Sequence, residues 1–128
     1  MASGKKILIV DDEEDIRTYL STLLGDQGFE TLLAKDGEEA WKQVEANSPD
    51  LITLDISMPE KSGIKFYREI KAHERWKTIP IIIVTGVSEG MRKFLSSRHQ
   101  VPPPEGYLTK PISPEEILAL ISKLTFPT

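Results

Sequence analysis

A chain of 128 residues is the size of one domain, which excludes any reading that needs separate catalytic and output domains. Lys+Arg 16 against Asp+Glu 20 gives a net charge of -4, the wrong sign for a domain held to nucleic acid through phosphate contacts. Cysteine is absent, which removes disulfide scaffolds, zinc ribbons and thiol chemistry and makes a cytoplasmic protein the simplest expectation; no apolar run is long enough to span a membrane.

Along the chain, short β-branched runs alternate with amphipathic stretches. Residues 7–10 are apolar throughout, as suits a strand covered on both faces. Ile16, Leu20, Leu23 and Leu24, at i, i+4, i+7 and i+8, then predict a helix that Gly25 and Gly28 close. A strand over 31–34 leads to a helix over 37–47, whose start carries the cap-x-x-Glu pattern in Asp36 and Glu39. A strand over 51–55, a helix over about 63–73 and a strand over 81–85, apolar through 84, follow. Next come a short helix near 89–97, a strand over 107–109 and a helix over 114–124 that begins Ser113-Pro114 with Glu116 behind it. Pro102, Pro103 and Pro104 forbid helix before Tyr107 and stiffen that approach. Five such units predict an α/β fold with a parallel sheet covered on both faces.

In such a sheet ligands bind outside the carboxyl ends of the strands, so the residues ending each strand are the candidates. The first strand ends in Asp11 and Asp12, the third in Asp55 and the fourth in Thr85, while the fifth runs into Lys110. Crowded carboxylates repel, which raises a pKa or recruits a cation, and oxygen ligands without His or Cys favour Mg²⁺ over zinc. Lys110 and the Thr85 hydroxyl would then suit an anion brought to that metal, a phosphoryl group above all. Of the consecutive acids Asp11 to Asp15, the last three, Glu13, Glu14 and Asp15, read as first-turn residues favoured by the helix macrodipole. Asp11 and Asp12 end a buried strand, where solvation alone does not explain two acids. Singly, Asp55 could be a turn residue, Thr85 a strand residue and Lys110 a surface lysine; their joint placement carries the chemistry.

These residues resemble a response regulator receiver domain: Asp11-Asp12 after a strand, Asp55 followed by Met58-Pro59 and Gly63, Thr85-Gly86, and Tyr107-Leu108-Thr109-Lys110-Pro111. The likeness covers about 6–124 and implies one receiver domain over 1–128. It implies a flavodoxin-like (βα)5 fold, with five parallel strands in the order 2-1-3-4-5. By the same likeness Asp55 is the phosphoacceptor, taking a phosphoryl group from a sensor histidine kinase or a histidine phosphotransfer protein. Asp12 and Asp55 ligate Mg²⁺ with the Ser57 carbonyl, and Asp11 helps mainly through water. Lys110 pairs with phosphoryl oxygens, Thr85 hydrogen-bonds one of them, Tyr107 rearranges with Thr85, and the Lys110-Pro111 bond is cis. The protein then catalyses only its own phosphorylation and dephosphorylation, and signals to a downstream protein target. Ser57 and Val87 would flank the line of attack of water on the acyl phosphate. Neither offers an ionised or amide group, so slow intrinsic dephosphorylation is expected.

The chain departs from the family pattern in places. Glu60, Lys61 and Ser62 occupy a loop that in the family often contains Gly and Asp. Between Thr85 and Lys110 the chain is a few residues longer than usual, and Val101-Pro102-Pro103-Pro104-Glu105-Gly106 replaces a small-residue approach to the fifth strand. The chain stops at Thr128 just after the last helix, so either a stand-alone switch or an excised domain is expected. Two other readings compete with this one. An aspartyl-phosphate phosphatase would carry a second Asp where Ser57 stands, and a pseudo-receiver that is never phosphorylated would not need Asp11, Asp12, Asp55, Thr85 and Lys110 together. His73 and His99 are expected to face solvent, and Trp41, Phe66 and Tyr67 to pack helices or lie partly at the surface rather than form a cofactor site. Arg92, Lys93, Arg98 and His99 beside Met91, Phe94 and Leu95 read as an ordinary amphipathic helix or, more sharply, a docking surface for an acidic partner.

Overall fold

The computed structural model describes residues 4–58, 62–86 and 103–126. Its elements run β1 (Lys6–Val10), α1 (Glu14–Asp26), β2 (Glu30–Ala34), α2 (Gly37–Asn47), β3 (Leu51–Asp55), α3 (Ser62–Lys71), β4 (Ile81–Thr85), β5 (Gly106–Thr109) and α4 (Pro114–Thr125). All strand pairs are parallel and the order is β2-β1-β3-β4-β5, the flavodoxin-like arrangement. The helix expected near 89–97, with Val87 and the basic residues around it, lies outside the described residues.

Alternate residues of each central strand feed opposite faces of the sheet. Leu8, Val10, Ile52, Leu54, Ile81 and Ile83 pack with Ala40 and Val44 of α2 and Phe66, Tyr67 and Ile70 of α3. Ile7, Ile9, Leu51, Ile82 and Val84 pack with Leu20 and Leu24 of α1 and Ile117 and Ile121 of α4. Each of the Val, Leu, Ile and Phe side chains among these contributes roughly 1.5–3 kcal/mol by leaving water. With every residue of β3 and β4 buried, the strand ends are where these strands can present chemistry.

Local chemistry sets the helix ends. The Asp36 carboxylate accepts the Glu39 N–H, the Glu39 carboxylate reaches back to the Lys35 N–H, and the Ser113 hydroxyl accepts the Glu116 N–H with Pro114 just inside α4. Helix α1 keeps Gly25 in its last turn and closes two residues later. Phe29 N–H bonds the Leu24 carbonyl and Gly28 N–H the Gly25 carbonyl, with Gly28 at φ 91°. That pairing needs a left-handed residue, which glycine supplies without a Cβ clash. Helix α3 ends at Lys71 rather than at 73, because the His73 N–H bonds the Ile70 carbonyl and tightens the chain into a turn. Phe66 and Tyr67 are buried, Trp41 meets Phe66 edge-on, and His73 is exposed.

Candidate functional site

The carboxyl edge of the sheet gathers Asp11 after β1, Asp55 at the end of β3, Thr85 at the end of β4 and Lys110 after β5. Asp11 and Asp55 are 2% exposed and Thr85 is fully buried, whereas Asp12 stands in solvent. The Lys110 ammonium lies 3.0 Å from Glu13 Oε1, 3.1 Å from Asp11 Oδ2 and 3.4 Å from Asp55 Oδ2. Carboxylate oxygens of Asp11, Asp12, Glu13 and Asp55 lie within 4.8 Å of one another. Among the described residues, three of these carboxylates share the Lys110 ammonium and Asp12 stands beside them, an excess of negative charge that a hard cation would relieve.

Backbone and side chain lock the two buried acids. Asp11 Oδ1 accepts the Glu13 N–H at 2.9 Å, and Arg17 Nη1 donates to the Asp11 carbonyl at 2.7 Å. Asp55 Oδ1 accepts both the Ser57 N–H at 2.8 Å and the Ser57 hydroxyl at 2.6 Å, which leaves Oδ2 on the Lys110 side. Gly63 admits α3 to this corner: a Cβ there would lie 2.5 Å from the Asp55 carbonyl oxygen, so a side chain would drive the helix off the strand end. The Lys110 N–H donates to the Thr85 carbonyl at 2.8 Å, tying β4 to β5 just before the cis Lys110-Pro111 bond. Tyr107 pairs in register with Ile83, so it shares a sheet face with Thr85 two residues along, and it is 37% exposed.

Burial raises the Asp11 carboxyl above the usual 3.8. The Asp55 charge adds to that, while the Glu13 N–H and Lys110 oppose it. Burial would lower the Lys110 ammonium, but its bonds to Glu13 and Asp11 and the charges of Asp55 and Asp11 outweigh that and hold it above the ordinary lysine value. Lys110 is thus a fixed cation across the neutral range.

Asp11, Asp12, Asp55, Thr85 and Lys110 meet at one edge as the strand-end reasoning expects, with Ser57 bonded to Asp55 and Tyr107 on the neighbouring strand. Val87 lies outside the described residues. Glu13 and Arg17 were not anticipated. Glu13 carries a signal in hindsight: it occupies the cap position of α1, where Ser, Thr, Asp or Asn serve best, and it makes no side-chain cap bond. Its carboxylate instead accepts from Lys110.

The family model of the response regulator receiver domain matches residues 7–122. The alkaline phosphatase synthesis transcriptional regulatory protein PhoP of Bacillus subtilis is 38% identical over 94% of this chain and 48% of its own length. The phosphate regulon transcriptional regulatory protein PhoB of Pseudomonas aeruginosa is 39% identical over 91% of this chain and 49% of its own. The chain thus spans about half the length of these curated relatives. Among solved structures, the chemotaxis response regulator CheY4 of Vibrio cholerae superposes with a TM-score of 0.81 at 28% identity, covering 95% of this chain and 99% of that one. A receiver domain protein from Clostridium thermocellum gives 0.78 at 29% identity, covering 94% of each. Sheet order, matched span and relatives agree: the chain belongs to the response regulator receiver domain family of two-component signalling.

Proposed function

We propose that the chain is a phosphoacceptor switch in which, with Mg²⁺ present, a phosphoryl group passes from a partner's phosphohistidine to Asp55 and alters the surface near Thr85 and Tyr107. The observation that carries this reading is the Asp55 carboxylate, buried at the sheet edge yet 3.4 Å from the Lys110 ammonium and among three further carboxylates. The donor set suits Mg²⁺, since it is made of oxygens without sulfur or imidazole. Asp12 and Asp55 would hold the ion with the Ser57 carbonyl, Asp11 assisting through water. When bound, the ion neutralises charge on the transferring group.

An Asp55 carboxylate oxygen displaces the imidazole nitrogen at phosphorus. The O–P bond forms as the N–P bond breaks, and the bonding pair leaves with the imidazole, which takes a proton from solvent. Ser57, donating twice to Oδ1, fixes the rotation of the carboxylate. Lys110 turns to the phosphoryl oxygens as charge collects there. The added charge, roughly -1.5 to -2 by analogy with other phosphorylated side chains, draws in the Thr85 hydroxyl, and Tyr107 takes the space vacated. Phosphorylation biases a population of two arrangements and makes no new fold. A sensor histidine kinase or histidine phosphotransfer protein supplies the group, and the net charge of -4 favours a protein target over direct contact with nucleic acid.

Incubation with Mg²⁺ and phosphoramidate, read by intact mass, is expected to add one phosphoryl group. EDTA and Asp55→Asn should each abolish it. Undiminished labelling of Asp55→Asn overturns the assignment.

A further inference from the structure

The three carboxylates around Lys110 are not equivalent. Asp11 and Asp55 have side chains 3% exposed, whereas that of Glu13 is 61% exposed. The buried pair is also tied down, Asp11 by the Glu13 N–H and Asp55 by Ser57. Glu13, by contrast, gives its Oε1 to Lys110 at 3.0 Å from the cap position of α1 and makes no side-chain cap bond.

We propose that Glu13 is a positioning residue, which parks Lys110 in the unphosphorylated protein and releases it when a phosphoryl group arrives. The proposal rests on the reading of Asp55 as acceptor. Lys110 must turn from carboxylates to phosphoryl oxygens during transfer. The hold of Asp55 weakens as its own oxygen is phosphorylated, and Asp11 stays buried beside it. Glu13 is the competitor that can be exchanged, because in water its carboxylate regains hydration as the lysine leaves. It therefore slows loading slightly while keeping the ammonium aimed at the site, and its own side chain is freed at the start of α1 once Asp55 is modified.

The test is the rate of labelling by phosphoramidate with Mg²⁺ in the full chain. Glu13→Gln is expected to load about twofold to fivefold faster than wild type, the range that loss of an exposed ion pair allows. Glu13→Asp keeps the charge but shortens the reach by one methylene, and it is expected to load nearly as fast as Glu13→Gln. Glu14→Gln makes the same change of charge one residue along, at an exposed first-turn position, and should match wild type. If Glu13→Gln is no faster than wild type, or if Glu13→Asp behaves as wild type while Glu13→Gln is fast, parking is overturned, in the second case in favour of simple charge repulsion. Absence of label on wild-type Asp55 would instead overturn the acceptor reading itself, and with it this one.

Discussion

At the amino edge of the sheet, Lys71 has a side chain 3% exposed and donates to both oxygens of Glu105, at 2.9 and 3.0 Å. At the carboxyl edge, Lys110, 15% exposed, faces Glu13, Asp11 and Asp55 at 3.0, 3.1 and 3.4 Å. The first arrangement is balanced. Glu105 Oε1 also accepts the Ile81 N–H at 2.7 Å, and the Glu105 N–H returns a bond to the Ile81 carbonyl at 3.0 Å. One charge meets one charge, the backbone at the start of β4 is satisfied, and the segment entering β5 is pinned to α3. The second arrangement is unbalanced: among the described residues, three carboxylates meet the one ammonium and a fourth, Asp12, lies close to them. A balanced pair has little to gain from a new charge, whereas an over-acidic cluster changes with every cation or anion it admits. The amino edge is therefore read as anchor and the carboxyl edge as switch.

The contrast breaks or stands on two substitutions. Lys110→Ala is expected to slow labelling of Asp55 about 10²-fold, the effect of removing one donor to a developing anion, while leaving the thermal unfolding midpoint in Mg²⁺ nearly unchanged. Lys71→Ala should do the reverse. It strands the Glu105 carboxylate against the amino end of β4 and costs about 2 kcal/mol by denaturant unfolding, less than a fully buried pair because Glu105 is partly in water. Folded Lys71→Ala should label at the wild-type rate. If it lost transfer at unchanged stability, the division between anchor and switch would be wrong.

A smaller effect sharpens the electrostatic half. Asp11 has a folded pKa above the usual 3.8, burial being the main cause, so the native state holds that proton more tightly than the unfolded chain. Its stabilising contribution is present below 3.8 and is lost as pH rises through the higher folded value. At neutral pH, ionised Asp11 thus opposes folding. Asp11→Asn is expected to stabilise the protein in EDTA by about 1 kcal/mol at pH 7, and to weaken the stabilisation that added Mg²⁺ gives. Lys110, raised above 10.5, keeps its contribution below that value and loses it only as pH climbs through the higher folded one, so the neutral range should show no step from it. A fall in midpoint for Asp11→Asn in EDTA would mean that the pairing of Asp11 with Lys110 outweighs its burial.

The carboxyl edge was legible in the sequence because parallel strands bring their last residues together. Asp11, Asp12, Asp55, Thr85 and Lys110 needed only correct strand ends to be gathered. Glu13 escaped because a first-turn acid is already explained by the macrodipole, and the competing explanation appears only once Lys110, 97 residues away, is placed beside it. Lys71 and Glu105 escaped for a similar reason: a lysine on amphipathic α3 reads as solvated, and Glu105 read as part of a proline-rich departure. Their pairing depends on how α3 crosses the sheet to meet the start of β5, which periodicity does not specify. Helix ends were legible where side chains cap, as at Asp36 and Ser113. The end of α3 was less so, since a backbone i→i+3 turn set it.

The smallest effect concerns how long the modified state lasts. Ser57 is two residues past Asp55, where a side chain could orient an attacking water, but its hydroxyl is already spent on Asp55 Oδ1 at 2.6 Å. If Oδ2, the oxygen facing Lys110, takes the phosphoryl group, Oδ1 remains as the acyl oxygen and can keep that hydrogen bond. The hydroxyl then holds the acyl phosphate in place and orients no water. An Asn at 57 is longer and carries both donor and acceptor, so its amide can pass the carboxyl group and reach a water on the phosphorus side. Ser57→Asn is therefore expected to speed decay of the acyl phosphate about fivefold, well below the roughly 10²-fold that a positioned general base supplies. Val87→Glu should act in the same direction, and Lys42→Gln, on the exposed side of α2, should leave the lifetime unchanged. Decay is followed by intact mass after the phosphodonor is removed. A Ser57→Ala lifetime much longer than wild type would show that the hydroxyl was orienting water after all, and the proposed occupation of Ser57 by Asp55 would not extend to the phosphorylated state.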